Sequence, residues 1–314
     1  MNLIELKSSA GLRLSLCREG ASIAAVYAPD RNGIYSNVSL VPDAGKNSGT
    51  FSGATVAPVA GRIRGGTVPI SGVVYQMPRN DGCNCLHSGP GTLGQALWDI
   101  VYQAADEVRF QAVLEDGDCG LPGKRVFTAA YKLHGMEFTL ELTAVSDRDT
   151  FVNMTNHAYW NLSGNWQADA YDHTLQIYAE KAWYNDHAHL PEQLCPVSGS
   201  AFDFRSPRAI REALQDPVGS GQLQNAKGYN NAFVINGAPA VILSHAKSGR
   251  MLTIQTDAPC VVFYSGGYLP IPGSALAFEP QIIPDAPYLL GSKLPILKKG
   301  SVFSTFSSYR FSVF

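Results

Sequence analysis

The chain has 314 residues, enough for one large β domain or two ordinary domains. Hydrophobic residues make up 45% and charged residues only 16%, with 30 Gly and 19 Pro. Few charges beside many turn residues argue against helical bundles, which need charged outer faces, and favour an all-β fold. A formal net charge of −2 provides no broad positive field, so neither nucleic acid nor an anionic membrane is an expected partner.

The opening stretch carries Glu5, Lys7 and Arg13 among its apolar residues, which breaks any signal-peptide core. No apolar run is long enough to span a bilayer, and the expectation is a soluble cytoplasmic protein. Period-two and β-branched runs then recur to the far end: Leu12–Cys17, Val68–Met77, Val108–Leu114, Phe138–Val145, Thr174–Ala179, Ala240–Ser244, Met251–Gln255 and Val261–Tyr264. Ser71-Gly72, His134-Gly135 and Asn236-Gly237 each separate two such runs and read as hairpin turns. One short helix is predicted over Arg208–Leu214, with Ser206 as N-cap and Pro207 at its first position. So many short strands mean a large sandwich or barrel. With no linker or repeat, residues 1–314 read as a single domain.

Cys83 and Cys85 form a C-x-C, but there is no C-x-x-C pair and no His at zinc-finger spacing. All six cysteines are expected as free thiols, and no metal site is expected. Dinucleotide, Walker, H-E-x-x-H and G-x-S-x-G motifs are also missing, which removes the nucleotide, phosphoryl and serine-hydrolase chemistries.

Four polar clusters remain inside apolar segments: Gly61–Gly66, Asn80–Gly89, Asn153–Gly164, and Glu279-Pro280-Gln281 with Pro284-Asp285. In the third, Asn153, Thr155, His157, Tyr159 and Asn161 alternate with apolar or other residues. In a strand they would share one polar face with a histidine at its centre. Such a face, with aromatic neighbours, suits a sugar's hydroxyl edges and C–H faces. Glu279 ends an apolar run and reads as either a rim charge or a buried, tuned carboxylate. Arg62 alone reads as an inter-strand ion pair, and His87 alone as a loop hydrogen-bonder.

Together and in this order the segments resemble the galactose mutarotase (aldose 1-epimerase) family. The matching segments are Gly61-Arg62-Ile63, Asn84-Cys85-Leu86-His87-Ser88-Gly89, Thr155-Asn156-His157-Ala158-Tyr159-Trp160-Asn161-Leu162, Phe202-Asp203-Phe204-Arg205-Ser206-Pro207, Phe263-Tyr264-Ser265-Gly266, Glu279-Pro280-Gln281 and Pro284-Asp285-Ala286. The resemblance runs from about residue 50 to the C-terminus. It implies a large antiparallel β-sandwich of the mutarotase supersandwich type with an open sugar cleft. It implies an isomerase that interconverts α and β anomers of a free aldose without a cofactor, and a monomer or homodimer is expected. Glu279 would be the general base and His157 the general acid; His87 and Arg62 would bind and polarise sugar oxygens, with Tyr159 and Asn230 in the binding set.

Three binding positions depart from the family pattern. The Asn before the arginine is Gly61, the Asp that grips sugar hydroxyls is Asn230, and the binding glutamine is Val262. An amide accepts from hydroxyls less strongly than a carboxylate, so the family's galactose or glucose preference is not carried over.

Anomerisation needs the C1 hydroxyl proton removed and the ring oxygen protonated, after which the C1–O5 bond opens, C1–C2 rotates and the ring recloses. A base and an acid on opposite sides of a pyranose, Glu279 and His157, would do this. Three rival readings stand beside it. A glycosidase would pair Glu279 with Asp285. A catalytically silent carbohydrate-binding protein would suit the altered binding positions. A sugar-phosphate epimerase would need a basic cluster, for which Arg62, Arg64 and Arg79 are the candidates.

Overall fold

A computed structural model of the chain describes residues 3–39 and 51–314. The first two residues of the N-terminal stretch and residues 40–50 lie outside it. Three larger sheets dominate, of four, nine and six strands, and every paired strand is antiparallel. The expected all-β sandwich is therefore present.

The nine-stranded sheet is the scaffold. In its centre Arg125–His134 pairs with Glu137–Ser146, which pairs with Val302–Val313. Alternate residues Phe127, Ala129, Tyr131 and Leu133 are buried, as are Phe138, Leu140, Leu142 and Ala144, while the residues between them face outward. That is the period-two burial expected where one face covers a core. Trp160, Tyr309 and Phe311 pack round Phe138 in this core, and burying each such ring is worth about 1.5–3 kcal/mol.

The six-stranded sheet carries Tyr159, Asn230 and Glu279. Its order is Tyr159–Trp160, Leu276–Gln281, Cys260–Tyr264, Asn230–Ile235, Ala179–Asn185 and Pro191–Pro196. Leu276–Gln281 is buried on both faces. Leu276 and Phe278 point into the main core, whereas Ala277 packs with Tyr159 and Leu269 on the opposite face. Strand periodicity puts Glu279 and Gln281 on that second face as well.

Several local expectations change. Ser71-Gly72 does close a hairpin between Thr67–Ile70 and Val73–Gln76, with φ of 50° and 84° at the two turn residues, as a type I′ turn requires. The chain also reverses after His134 between paired strands. Asn236-Gly237 closes no hairpin: Asn230–Ile235 lies in the six-stranded sheet and Val241–His245 in the nine-stranded one, so this turn carries the chain between sheets. The predicted helix starts late. Arg208–Ala209 pairs with Thr174–Leu175 as a strand, and only Ile210–Leu214 is helical. Tertiary pairing has taken the first turn that Ser206-Pro207 would have nucleated. All six cysteines are free thiols. Among the described residues no helix is long and apolar enough to cross a membrane.

Candidate active site

A cleft of about 380 Å³ opens on the second face of the six-stranded sheet. Its lining includes Arg62, His87, His157, Tyr159, Asn230 and Glu279, so all six residues singled out in the sequence meet there. They come from five separate stretches of chain.

Arg62 and His87 arrive together. Arg62–Ile63 pairs with Cys85–Leu86, which aligns Arg62 with Leu86 and puts His87 one residue on. His87 has a φ of 50°, which turns the chain so that both its backbone and its ring meet Gly61. Its N–H donates to the Gly61 carbonyl at 3.0 Å, and its Nδ1 accepts the Gly61 N–H at 3.1 Å. Arg62 Nε donates to Asp81 at 2.7 Å, the ion pair its sequence context suggested. That contact anchors one edge of the guanidinium and leaves the other for the cleft.

His157 is held differently from expectation. Residues 153–161 do not form one strand. Thr155–Asn156 pairs with Thr55–Val56, Tyr159–Trp160 pairs with Leu276–Ala277, and His157 sits in the break between. Its N–H donates to Ala54 O, and its carbonyl accepts from Gly53 N. Of the five alternating residues only His157 and Tyr159 line the cleft. Their rings stack with centroids 4.8 Å apart. Asn153 and Asn161 instead bond buried backbone groups.

Glu279 is 4% exposed, so it is the buried carboxylate and not the rim charge. Its Oε1 lies 3.6 Å from His157 Nε2. Burial raises its pKa above the ordinary 4.5, against the opposing pull of the His157 and Arg62 charges and a hydrogen bond from Gln281. Acid and base candidates thus stand side by side on the cleft floor, not across a ring from one another. The two oxygens they would serve, O1 and O5, are both bonded to C1, so adjacent groups can reach both.

His87 is neutral. Burial, with the charges of His157 and Arg62, holds it well below its ordinary 6.5. Since Nδ1 accepts the Gly61 N–H, the ring proton is on Nε2 and is presented as a donor. This bears on metal binding. Donor atoms of His87, His157 and Glu279 lie within 4.8 Å of one another, a set that could in principle hold a cation. A ligating histidine, however, normally donates its second N–H to an acceptor. Here His87 Nδ1 meets a donor, and His157 Nδ1 has no partner among the described residues. The trio fits a hydrogen-bonding site better than a metal centre.

All three departures from the family pattern also lie in the cleft wall: Gly61, Asn230 and Val262. Val262 is paired in register with Glu279 on one side and Ala232 on the other, which gives the floor beside the base an apolar row. Gly61 has a φ of 75°, and a Cβ there would come within 2.9 Å of Pro284, which fills the space.

Asp285 is not part of this site. It is fully buried at a φ of 58°, and accepts from the Arg64 N–H at 2.8 Å and from Arg64 Nε at 3.1 Å. It therefore cannot be the second carboxylate of a glycosidase. Arg64 and Arg79 are likewise engaged away from the cleft, Arg79 with the Gly65 carbonyl. Among the described lining residues Arg62 is the only guanidinium or ammonium group, too little to hold a phosphate dianion. Lining residues given no role from sequence are Asn185, His189, Tyr264, Tyr268 and Gln281. Tyr264 and Gln281 lie inside quoted motifs; Asn185, His189 and Tyr268 lie in none.

Comparison with known proteins identifies the family of the chain. The family described as Aldose 1-epimerase matches residues 2–310. The chain is 30% identical to an aldose 1-epimerase of Escherichia coli (strain K12), over 98% of this chain and 94% of that one. It is 31% identical to a galactose mutarotase of Bos taurus, over 96% and 92%. Among solved structures, a GalM/aldose epimerase homologue from C. elegans superposes with a TM-score of 0.89 at 28% identity, covering 99% of each chain. The galactose 1-epimerase of Lactobacillus acidophilus NCFM gives 0.87 at 28%, over 99% of this chain and 94% of that one.

Proposed function

The chain belongs to the aldose 1-epimerase family and is an isomerase of that type, and we propose that Glu279 is its general base and His157 its general acid. The observation that carries this assignment is the 3.6 Å approach of His157 Nε2 to Glu279 Oε1 on the floor of a sugar-sized cleft. The substrate is a free monosaccharide. Glu279 takes the proton from the C1 hydroxyl as His157 gives one to the ring oxygen. The C1–O5 bond breaks to leave an open-chain aldehyde. After rotation about C1–C2, His157 recovers its proton from the hydroxyl at C5 while the acid form of Glu279 returns one to the new C1 oxygen. Atoms and charges are restored, and nothing is oxidised, so no cofactor takes part.

The remaining groups stabilise charge and orient the ring. Arg62 faces oxygens on which negative charge grows, and the His87 Nε2–H donates to another. Tyr159, stacked on His157, offers a flat surface to the sugar's C–H face. Asn230 supplies a neutral amide to a hydroxyl. With a net charge of −2 and a single arginine in the cleft, the reading includes no nucleic-acid or membrane partner. It keeps one domain, a cytoplasmic location and a monomeric or homodimeric form.

The test is Glu279→Gln, assayed by polarimetry on fresh α-anomers with sugar binding measured by calorimetry. Each positioned proton transfer contributes about 10²–10⁴ in rate. Anomerisation should fall by that order while binding is largely spared. Undiminished turnover would refute the assignment.

A further inference from the structure

We propose that Asn153 and Gln281 form a positioning relay that fixes which end of the Gln281 amide meets Glu279; the proposal rests on reading Glu279 as the base. Glu279 and Gln281 share one face of Leu276–Gln281, and both are buried. Gln281 Nε2 donates to Glu279 Oε2 at 3.4 Å. An amide can be turned over. Rotated by half a turn, Gln281 would set its oxygen against the carboxylate and repel it.

Asn153 removes that freedom. Its Nδ2 donates to Gln281 Oε1 at 3.4 Å and keeps that oxygen turned away from Glu279. Asn153 cannot turn over either. Its Oδ1 accepts the Ile282 N–H at 2.8 Å, and its two Nδ2 hydrogens are shared among Gln281 Oε1 and the carbonyls of Ile282 at 3.0 Å and Ala60 at 3.3 Å. Reversal would place oxygen against two carbonyls and NH₂ against an N–H. Backbone groups have fixed polarity, so Ile282 sets Asn153, Asn153 sets Gln281, and Gln281 presents a donor to the base. The links at 3.4 Å are long, so their part is to orient more than to bind. Asn153 also joins this strand to the segment that carries Gly61 and Arg62, through its Ala60 contact.

The other groups facing Glu279 are His157 from the break after Asn156, Arg62 and His87 from the paired segments, and the phenols of Tyr159 and Tyr264. Gln281 is the side chain whose hydrogen bond favours the ionised form of Glu279, through Oε2. Loss of that donor makes the ionised base less favourable and moves its titration upward.

The experiment is a pH profile of kcat and KM for full-length Gln281→Met, Asn153→Ala and the double variant. For Gln281→Met, kcat should fall roughly tenfold, KM should stay within about twofold, and the acid limb should move to higher pH, the scale of one hydrogen bond to a charge. Asn153→Ala should move the limb the same way. It also strips partners from Ile282 and Ala60 and lowers the melting temperature, so its profile is read on protein shown to be folded. The double variant should match Gln281→Met alone, because both act on one contact. An unmoved acid limb in Gln281→Met, or effects that add in the double variant, overturns the relay. Glu279→Gln runs in parallel: full activity there sinks the base reading, whereas an inert Glu279→Gln beside an unmoved limb sinks the relay alone.

Discussion

His87 Nδ1 accepts the backbone N–H of Gly61 at 3.1 Å, and this one contact decides that the imidazole faces the cleft as a donor. A glutamine keeps an N–H donor on a side chain of similar reach; alanine does not. His87→Gln should therefore retain much of the activity that His87→Ala loses, with a deficit for Ala of about 10²–10³-fold in kcat/KM, the range for one lost charge-stabilising donor. Steady-state anomerisation of both variants checks it. Equal losses would mean that His87 acts through something other than its Nε2–H.

Glu279 titrates above the ordinary 4.5 because it is buried. A base must be ionised to work, so activity should be present above its folded-state pKa and be lost as pH falls through it. The acid limb of kcat/KM should lie above the ordinary glutamate value, and Arg62→Met should shift it further upward, since the arginine charge favours the carboxylate. Arg62→Lys should shift it less, because it keeps the charge, but should lose the Asp81 anchor geometry. A limb at the ordinary value in the unaltered enzyme would contradict the burial argument.

The cleft floor beside the base runs Ala232, Val262, Glu279. An apolar row accepts C–H or methyl groups and leaves a hydroxyl without a partner. The enzyme should favour a sugar with fewer or differently placed hydroxyls over plain galactose. The double variant Asn230→Asp with Val262→Gln should move preference toward galactose by roughly tenfold or more in kcat/KM, the scale on which a paired hydroxyl discriminates. An anomerisation panel of hexoses, pentoses and deoxysugars reads this out. A clear preference of the unaltered enzyme for galactose would end the idea.

Asp285 holds Arg64 through both its backbone N–H and its side chain, from a left-handed backbone position. Asp285→Ala leaves those donors unpaired and places an alanine where Asn or Asp is easier. The expected cost is about 1–3 kcal/mol. Asp285→Asn keeps an acceptor and the backbone preference, and should cost less. Thermal melts of the two variants test the order; a reversed order would show that the buried charge itself destabilises the site.

Much of the architecture could be read from alternation alone. Phe138 to Val145 predicts its strand because period-two burial is a local consequence of pleating. Ser71-Gly72 predicts its turn because the φ it needs is local too. Asn236-Gly237 looked equivalent, yet it joins two different sheets, since a turn signal does not specify its partners. Likewise 153–161 alternates like a strand, but His157 falls in a break, because Thr155–Asn156 and Tyr159–Trp160 are captured by different neighbours.

Glu279, His157, Arg62 and His87 were legible in the sequence as candidates, through motifs whose order survives along the chain, and they meet in one cleft. Their arrangement was not legible there. That Glu279 and His157 are neighbours, that His87 is a neutral donor, and that Asn153 orients Gln281 all depend on which distant backbone groups are brought alongside. Hydrogen-bond polarity and burial belong to the packed neighbourhood, and only the tertiary structure assembles it.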